Sequence, residues 1–148
     1  MASAALARLT QLLDSKKLAG TVHRPAGQAR AVASTGMADL DRHLAGGWPK
    51  GQLSDVSGPA SSGRTTVGLA TCAAITQQGG VVAWVDVADR LDPASAQAAG
   101  VVLDRMLWVR GRLTRTMGDR AVQSGIRAFD LIVRAGGFAV VVCDLADV

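Results

Sequence analysis

The 148-residue chain contains no glutamate, no asparagine and no tyrosine. All 12 of its acidic residues are therefore aspartates, and only 3% of its residues are aromatic. Because an absent side chain cannot act, the composition excludes any mechanism that needs a glutamate base, a glutamate metal ligand or a stacking tyrosine from this chain. A GC-rich coding sequence, which favours Ala, Gly, Val, Arg and Asp, explains the bias without changing that consequence.

Long apolar runs and targeting signals are also lacking. No stretch approaches the roughly 18 apolar residues that a transmembrane helix needs, and the N-terminus lacks the apolar run of a signal peptide. Two cysteines, Cys72 and Cys143, lie in apolar runs, which predicts buried free thiols in a reducing compartment. These features predict a cytoplasmic protein with no membrane attachment.

Hydrophobic residues make up 49% of the chain, and the formal net charge is +4. This apolar fraction predicts a folded domain, and the mild positive charge is compatible with a nucleic-acid or acidic protein partner. A basic region in the second half of the chain has two interpretations, a surface for DNA phosphates or an acidic partner and an ordinary solvated surface. Its members are Arg105, Arg110, Arg112, Arg115, Arg120, Arg127 and Arg134.

After residue 50, short apolar runs alternate with helical stretches in the order β-α-β-α-β-α-β. Strands that are apolar on both faces and alternate with helices predict a parallel sheet with right-handed crossovers. The predicted strands are Leu53 to Ser57, Val81 to Val85, Met106 to Val109, and Phe138 to Cys143.

Two predicted helices have an apolar face. Residues 3 to 18 place Leu6, Leu9 and Leu13 at helical spacing, and a polar linker follows. This pattern divides the chain into a helix-and-linker segment, residues 1–33, and a core, residues 34–148. The last predicted helix begins near Asp119, and its shared face consists of Val122, Ile126, Phe129 and Val133.

The most specific motif is a glycine-bounded run between the first predicted strand and the helix that follows it. This is the context of a phosphate-binding loop, in which glycines let the backbone wrap a phosphate and amides at the helix N-terminus donate to it. Arg64 stands where the motif has a lysine. The alternative is a glycine turn without a ligand. The predicted nucleotide-binding residues are Gly58, Ser61, Ser62, Gly63, Arg64, Thr65 and Thr66.

Several motifs that occur in order resemble the RecA recombinase family over roughly residues 34 to 144. The resemblance implies an α/β, RecA-like P-loop core with a mainly parallel sheet flanked by helices, plus an N-terminal helical arm. It implies that Thr65 and Asp144 would hold Mg²⁺. It also implies that the arm docks on a like subunit or on RecA, although folding back on its own core is equally compatible with the sequence. The motifs are Ser34 to Asp41, Gly46 to Gly51, Gly58 to Thr66, and Trp84 to Pro93.

Three positions depart from the family pattern. Ala88 matches the glutamate that activates the attacking water, Ser95 matches the aromatic that stacks on adenine, and Arg64 replaces the phosphate lysine. Asp89 adjoins Ala88, but strand neighbours point to opposite faces. Loss of acid–base catalysis costs roughly 10²–10⁴-fold in rate. The sequence therefore predicts a degenerate, non-catalytic site without a cofactor; the alternative is a weak ATPase that uses ATP, Mg²⁺ and either Asp89 or a partner's residue.

The family resemblance also implies strands and two DNA-contacting loops beyond the strand that ends at Asp144. Since the sequence stops at Val148, we expect weak or indirect DNA binding and an open sheet edge, which indicates either a fragment or an edge covered by something else.

This chain, with its short RecA-like core, its degenerate site and the run from Val140 to Asp147, resembles the ImuA group, accessory proteins of damage-induced mutagenesis. This resemblance implies an interaction module in the DNA damage response that binds RecA or ImuB-type polymerase-complex proteins. The alternatives are a weak ATP-binding or ATP-hydrolysing recombinase paralogue and a nucleotide-binding regulator outside DNA repair.

Overall fold

The computed structural model describes residues 31–111 and 118–145, together with Gln11 and Ser15. The chain divides at Arg30–Ala31 into two units, and the fold given below is that of the second. The predicted docking residues Leu6, Leu9 and Leu13 lie outside the described residues, as do Arg112 and Arg115 of the basic region. The domain boundary at residue 33 stays a prediction.

Helices and strands alternate along the second unit, as the sequence predicted. None of the described helices is long and apolar enough to cross a membrane. In chain order the elements are β1 (Val32–Ala33), α1 (Ala38–His43), β2 (Trp48–Pro49), α2 (Arg64–Gln77), β3 (Val82–Asp86), α3 (Pro93–Ala98), β4 (Met106–Arg110), α4 (Gly118–Ala135) and β5 (Val140–Asp144), with a 3-10 turn at Leu103–Arg105 before β4.

The central sheet has three parallel strands in the order β4-β3-β5, which confirms the predicted α/β class. Every residue of β3 is buried, because this strand lies between two neighbours and has helices on both faces. Strand alternation separates two apolar clusters. Val82 and Trp84 pack with residues of α2 and α3, whereas Ala83 and Val85 pack with Ile132 of α4.

The strand predicted at Leu53 to Ser57 is not formed, so this prediction is wrong. The segment is exposed throughout, with Leu53 87% exposed, and no strand within residues 31–111 and 118–145 pairs with it. A strand exists only where a neighbour accepts and donates its backbone hydrogen bonds. The sequence pattern reports apolar residues and cannot report whether such a neighbour is present.

A short antiparallel hairpin, formed by β1 and β2, was not predicted from the sequence. The indole Nε1 of Trp48 donates to Thr71 Oγ1 on α2 at 3.0 Å, so Trp48 is a packing residue that ties the hairpin to the helix. In the segment of the chain that connects β1 to β2, the Asp41 carboxylate accepts hydrogen bonds from Ser34 Oγ at 2.6 Å and from the Thr35 amide at 2.7 Å. These hydrogen bonds, the one from Ser34 first, hold the pKa of Asp41 below its ordinary value.

Helix α4 packs on the sheet with only part of the face that Val122, Ile126, Phe129 and Val133 share, since Phe129 packs against the buried cluster of Ala83, Val85 and Ile132. Ile126 and Val133 are 51% and 53% exposed, and the buried residue Ile132 contacts the sheet instead. Gly125 is the physical reason, because a Cβ at this position would overlap the Val87 side chain. The missing side chain lets the helix approach the sheet closely on its Gly125–Ile132 side, which leaves Ile126 and Val133 of the predicted face exposed.

The two cysteines differ in their environment. Cys72 on α2 is fully buried, and burial raises the pKa of its thiol to about 12. Cys143 on β5 is half-buried, and burial, followed by the charge of Asp144, raises the pKa of its thiol as well. The prediction of buried thiols is therefore confirmed for Cys72 and only in part for Cys143.

Candidate functional site

The carboxyl ends of the three parallel strands bring charged residues together. Arg110, Asp86 and Asp144 occupy matching positions on β4, β3 and β5, with Asp86 in the middle. Alternation places Asp86 and Asp144 on the α2 face of the sheet, because Trp84 and Val142, two residues earlier on each strand, pack in the cluster that contains α2. In open α/β sheets this edge is the usual place for a ligand site.

Asp86 is the organising residue of this edge, and the sequence did not identify it as a site residue. Its buried carboxylate accepts hydrogen bonds from the Arg90 amide at 3.0 Å, the Leu91 amide at 2.8 Å and Trp108 Nε1 at 3.3 Å. One carboxylate therefore joins the loop after β3 to the neighbouring strand β4. The available sequence signal was an aspartate placed directly at the end of a fully apolar run.

Ala88 and Asp89 lie in the turn that follows β3, not on the strand. The prediction that Ala88 and Asp89 are strand neighbours pointing to opposite faces is therefore wrong. Asp89 adopts a left-handed conformation with φ of 55°. Both carboxylate oxygens of Asp89 accept from Arg110, from Nε at 2.7 Å and from Nη2 at 2.9 Å. A carboxylate held by a guanidinium in this way has both of its oxygens engaged in charge-assisted hydrogen bonds.

Arg110 is itself held in place by an aromatic ring. Its guanidinium lies 4.5 Å from the centre of the Trp108 ring, a distance typical of a cation–π contact. Asp89, first by hydrogen bonding and then by its charge, raises the pKa of Arg110. Trp108 thus donates to Asp86 through its indole nitrogen and packs against Arg110, which in turn holds Asp89.

Ser95 occupies the position that corresponds to the family's adenine-stacking aromatic residue. In this structure it has a structural role. Asp92 precedes α3 and its Oδ2 accepts from the Ser95 amide at 2.9 Å and from Ser95 Oγ at 2.6 Å. Asp92 thus caps α3, and Pro93 occupies its first turn. These hydrogen bonds, with the Ser95 hydroxyl first, hold the pKa of Asp92 below its ordinary value.

The glycine-bounded loop precedes α2 as predicted, although no strand leads into it. Ser61 and Gly63 have φ of 61° and 89°, the Ser62 amide donates to the Pro59 carbonyl at 3.2 Å, and α2 begins at Arg64. Among the predicted nucleotide-binding residues, Gly58, Ser61, Ser62, Thr65 and Thr66 are exposed, whereas Gly63 and Arg64 are half-buried. The binding of a phosphate by this loop stays a prediction, as does the holding of Mg²⁺ by Thr65 and Asp144.

The residues at two positions that depart from the family pattern, and the acidic neighbour of one of them, have these surroundings. Ala88 carries no acid or base, Asp89 is engaged by Arg110, and Ser95 is engaged by Asp92.

The basic region is not one continuous surface. Arg105 donates to the Gly79 carbonyl at 2.6 Å and Arg110 holds Asp89, so both serve the fold. Arg120, Arg127 and Arg134 are exposed on α4, and Arg134 forms an ion pair with Asp130 at 2.8 Å. Within the described part of the region, the arginines of α4 are those without a bond to a residue outside their own helix.

Comparison of the sequence with known proteins identifies relatives of this chain. Residues 8–147 match the family model described as the RecA N-terminal domain. The chain is 40% identical over 112 residues to Protein RecA of Lactococcus lactis subsp. cremoris (strain MG1363), an alignment that covers 73% of this chain and 28% of that protein. It is 39% identical over 119 residues to Protein RecA of Staphylococcus aureus (strain JH9), covering 80% of this chain and 32% of that protein. The chain thus spans about a third or less of the length of these curated relatives.

Proposed function

We propose that this chain, which belongs to the RecA family, is a non-catalytic interaction module that serves the DNA damage response. Its role is of the ImuA type, in translesion mutagenesis in the cytoplasm, and its partners are RecA or an ImuB-type protein of the polymerase complex. It uses neither ATP nor Mg²⁺ as a cofactor, and it contacts DNA weakly or indirectly. The runner-up is a weak ATP-binding or ATP-hydrolysing recombinase paralogue.

The engagement of Asp89 by Arg110 is the observation that carries the non-catalytic part of the proposal. An ATPase of this kind needs a group that accepts a proton from water as the bond to the phosphate forms. Ala88 has no such group, and both oxygens of its acidic neighbour accept from one guanidinium. The buried sheet, by contrast, is fully formed at β3. A retained fold around a site without a base favours a binding role over a catalytic one.

The interaction role is supported by the sequence around and beyond the site. The run from Val140 to Asp147 resembles the ImuA group more than a recombinase, which supports a role in mutagenesis. The predicted apolar face of the N-terminal helix, Leu6, Leu9 and Leu13, is a candidate surface for a like subunit or for RecA. Because the chain covers about a third or less of its RecA relatives, their activities are not assumed for it.

Calorimetric titration with ATP tests the non-catalytic part. We expect no binding heat at submillimolar protein with or without Mg²⁺, and no difference between the parent chain and Thr65→Ala. Micromolar affinity, about −8 kcal/mol, that requires Mg²⁺ and is lost in Thr65→Ala would favour the recombinase paralogue instead. A phosphate-release assay would then separate a hydrolysing enzyme from a regulator that only binds.

Co-sedimentation with preformed RecA filaments on single-stranded DNA tests the interaction part. We expect the chain to pellet with filaments and to stay in the supernatant with bare single-stranded DNA. A purified ImuB-type protein on affinity resin provides the second arm. Retention by neither RecA nor the ImuB-type protein would contradict the proposed partners.

A further inference from the structure

The outward side of α4 combines apolar and basic residues in a regular pattern. Ile126 and Val133 are half exposed, and Leu131 is 67% exposed, although the same helix buries Ile132 against the sheet. The helix therefore has a second apolar surface that the described fold does not cover. Exposed apolar residues grouped on one helix can mark a contact site.

The pattern repeats every seven residues. Ile126 and Val133 are two helical turns apart, so they lie on one line about 10 Å apart along the axis. Arg120, Arg127 and Arg134 have the same spacing and form a second line, roughly 100° further round the helix. Leu131 lies about 40° beyond the arginine line, so the basic line has apolar neighbours on both sides. We call these six residues the outer face of α4.

The charge of the outer face is positive. Neither Arg120 nor Arg127 forms a hydrogen bond or ion pair with another residue of the described part of the chain. Arg134 is neutralised by Asp130, with its Nε at 2.9 Å and 2.8 Å from the two carboxylate oxygens. A partner that brings carboxylates to the arginine line therefore meets two guanidinium groups that the described fold leaves available.

We propose that the outer face of α4 docks an acidic amphipathic helix of a partner protein. Ile126 and Val133 supply one apolar position per heptad, a short line on which the apolar face of a partner helix can pack, and carboxylates beside that face pair with the arginine line. Duplex DNA fits less well, because its phosphates pair with arginines but leave Ile126, Leu131 and Val133 in water. The inference deepens the proposed interaction function and rests on it, since it supplies the surface and the chemistry of the partner.

A synthetic peptide is the probe for this surface. We use a labelled amphipathic helix of about three heptads, with leucines along its seam and glutamates beside them, and measure its binding by fluorescence anisotropy. The double variant Arg120→Glu/Arg127→Glu and the double variant Ile126→Ser/Val133→Ser are each expected to weaken binding about tenfold or more. The same peptide with lysines in place of its glutamates is expected not to bind.

Matched controls are available elsewhere on the chain. Arg42→Glu reverses the charge of another exposed helical arginine on α1, and Leu53→Ser removes an exposed apolar side chain, so neither should change peptide affinity. All variants alter exposed positions, and unchanged circular dichroism melting curves confirm their fold.

Three outcomes would overturn the proposal. The first is equal affinity of the parent chain and both double variants for the acidic peptide. The second is duplex DNA binding that only the arginine variant loses, with no peptide binding, which would assign the face to nucleic acid. The third is a self-associated species in sedimentation velocity that both double variants abolish, which would assign the face to a second copy. Peptide binding without filament co-sedimentation would refute RecA as the partner while supporting the docking surface.

Discussion

Replacing Gly36 with alanine is expected to lower the free energy of unfolding by about 3 kcal/mol. Gly36 has φ of 78°, a left-handed conformation that costs an L-residue about 1–2 kcal/mol. A Cβ at this position would also overlap the backbone carbonyl of Ala70 on α2. Because helix backbone cannot move aside as a side chain can, relief of the overlap adds about 1–3 kcal/mol. The segment after β1, which contains Gly36, could then no longer pack closely against α2.

Gly51→Ala separates the two contributions. Gly51 has a similar φ of 72°, but a Cβ there would meet no atom within 4 Å. We therefore expect Gly51→Ala to cost only the conformational part, about 1 kcal/mol. Urea denaturation with linear extrapolation measures both variants against the parent chain. Equal destabilisation by the two substitutions would show that the hairpin does not approach α2 as closely as the structure has it.

Asp86→Ala is expected to lower the free energy of unfolding by about 3 kcal/mol as well. The substitution removes the common acceptor of the Arg90 amide, the Leu91 amide and Trp108 Nε1. A buried donor left without an acceptor costs about 1–3 kcal/mol, and water entry through the freed loop offsets part of the total. The turn that carries Asp89 would lose its anchor, and the indole of Trp108 would lose its acceptor.

Asp104→Ala is the matched control for this prediction. Asp104 is an exposed aspartate in the 3-10 turn before β4, so its replacement should change the free energy of unfolding by no more than about 0.5 kcal/mol. Denaturant titration followed by tryptophan fluorescence gives the stability, and near-ultraviolet circular dichroism reports the environment of Trp108. If Asp86→Ala were as mild as Asp104→Ala, Asp86 would not organise the carboxyl edge.

Local sequence patterns were sufficient to predict much of the fold. Apolar runs that alternate with helical stretches identified three of the strands and the helices between them, because burial depends on the residues of each segment. Leu53 to Ser57 has a similar local pattern but forms no strand. Its failure shows that strand formation depends on a neighbour that the pattern does not contain.

The candidate site shows the same division. The resemblance aligns Ala88 with the family's glutamate base, and the composition shows that the chain has no other glutamate. Both conclusions needed only the sequence and the resemblance. The bond between Arg110 and Asp89 joins residues 21 positions apart, and no local pattern indicated it. The three donors that meet at Asp86 likewise come from a loop and from the next strand.

The sequence by itself therefore determined which side chains this protein has for chemistry, and it indicated an α/β fold of the RecA family. Only the tertiary structure decided which of those side chains are available and which helix face is turned outward. The physical reason is that hydrogen bonds and close approach depend on distances across the fold. Arg110 engages Asp89 because two strand ends meet, and Gly125 turns Ile126 and Val133 outward because it lies against Val87.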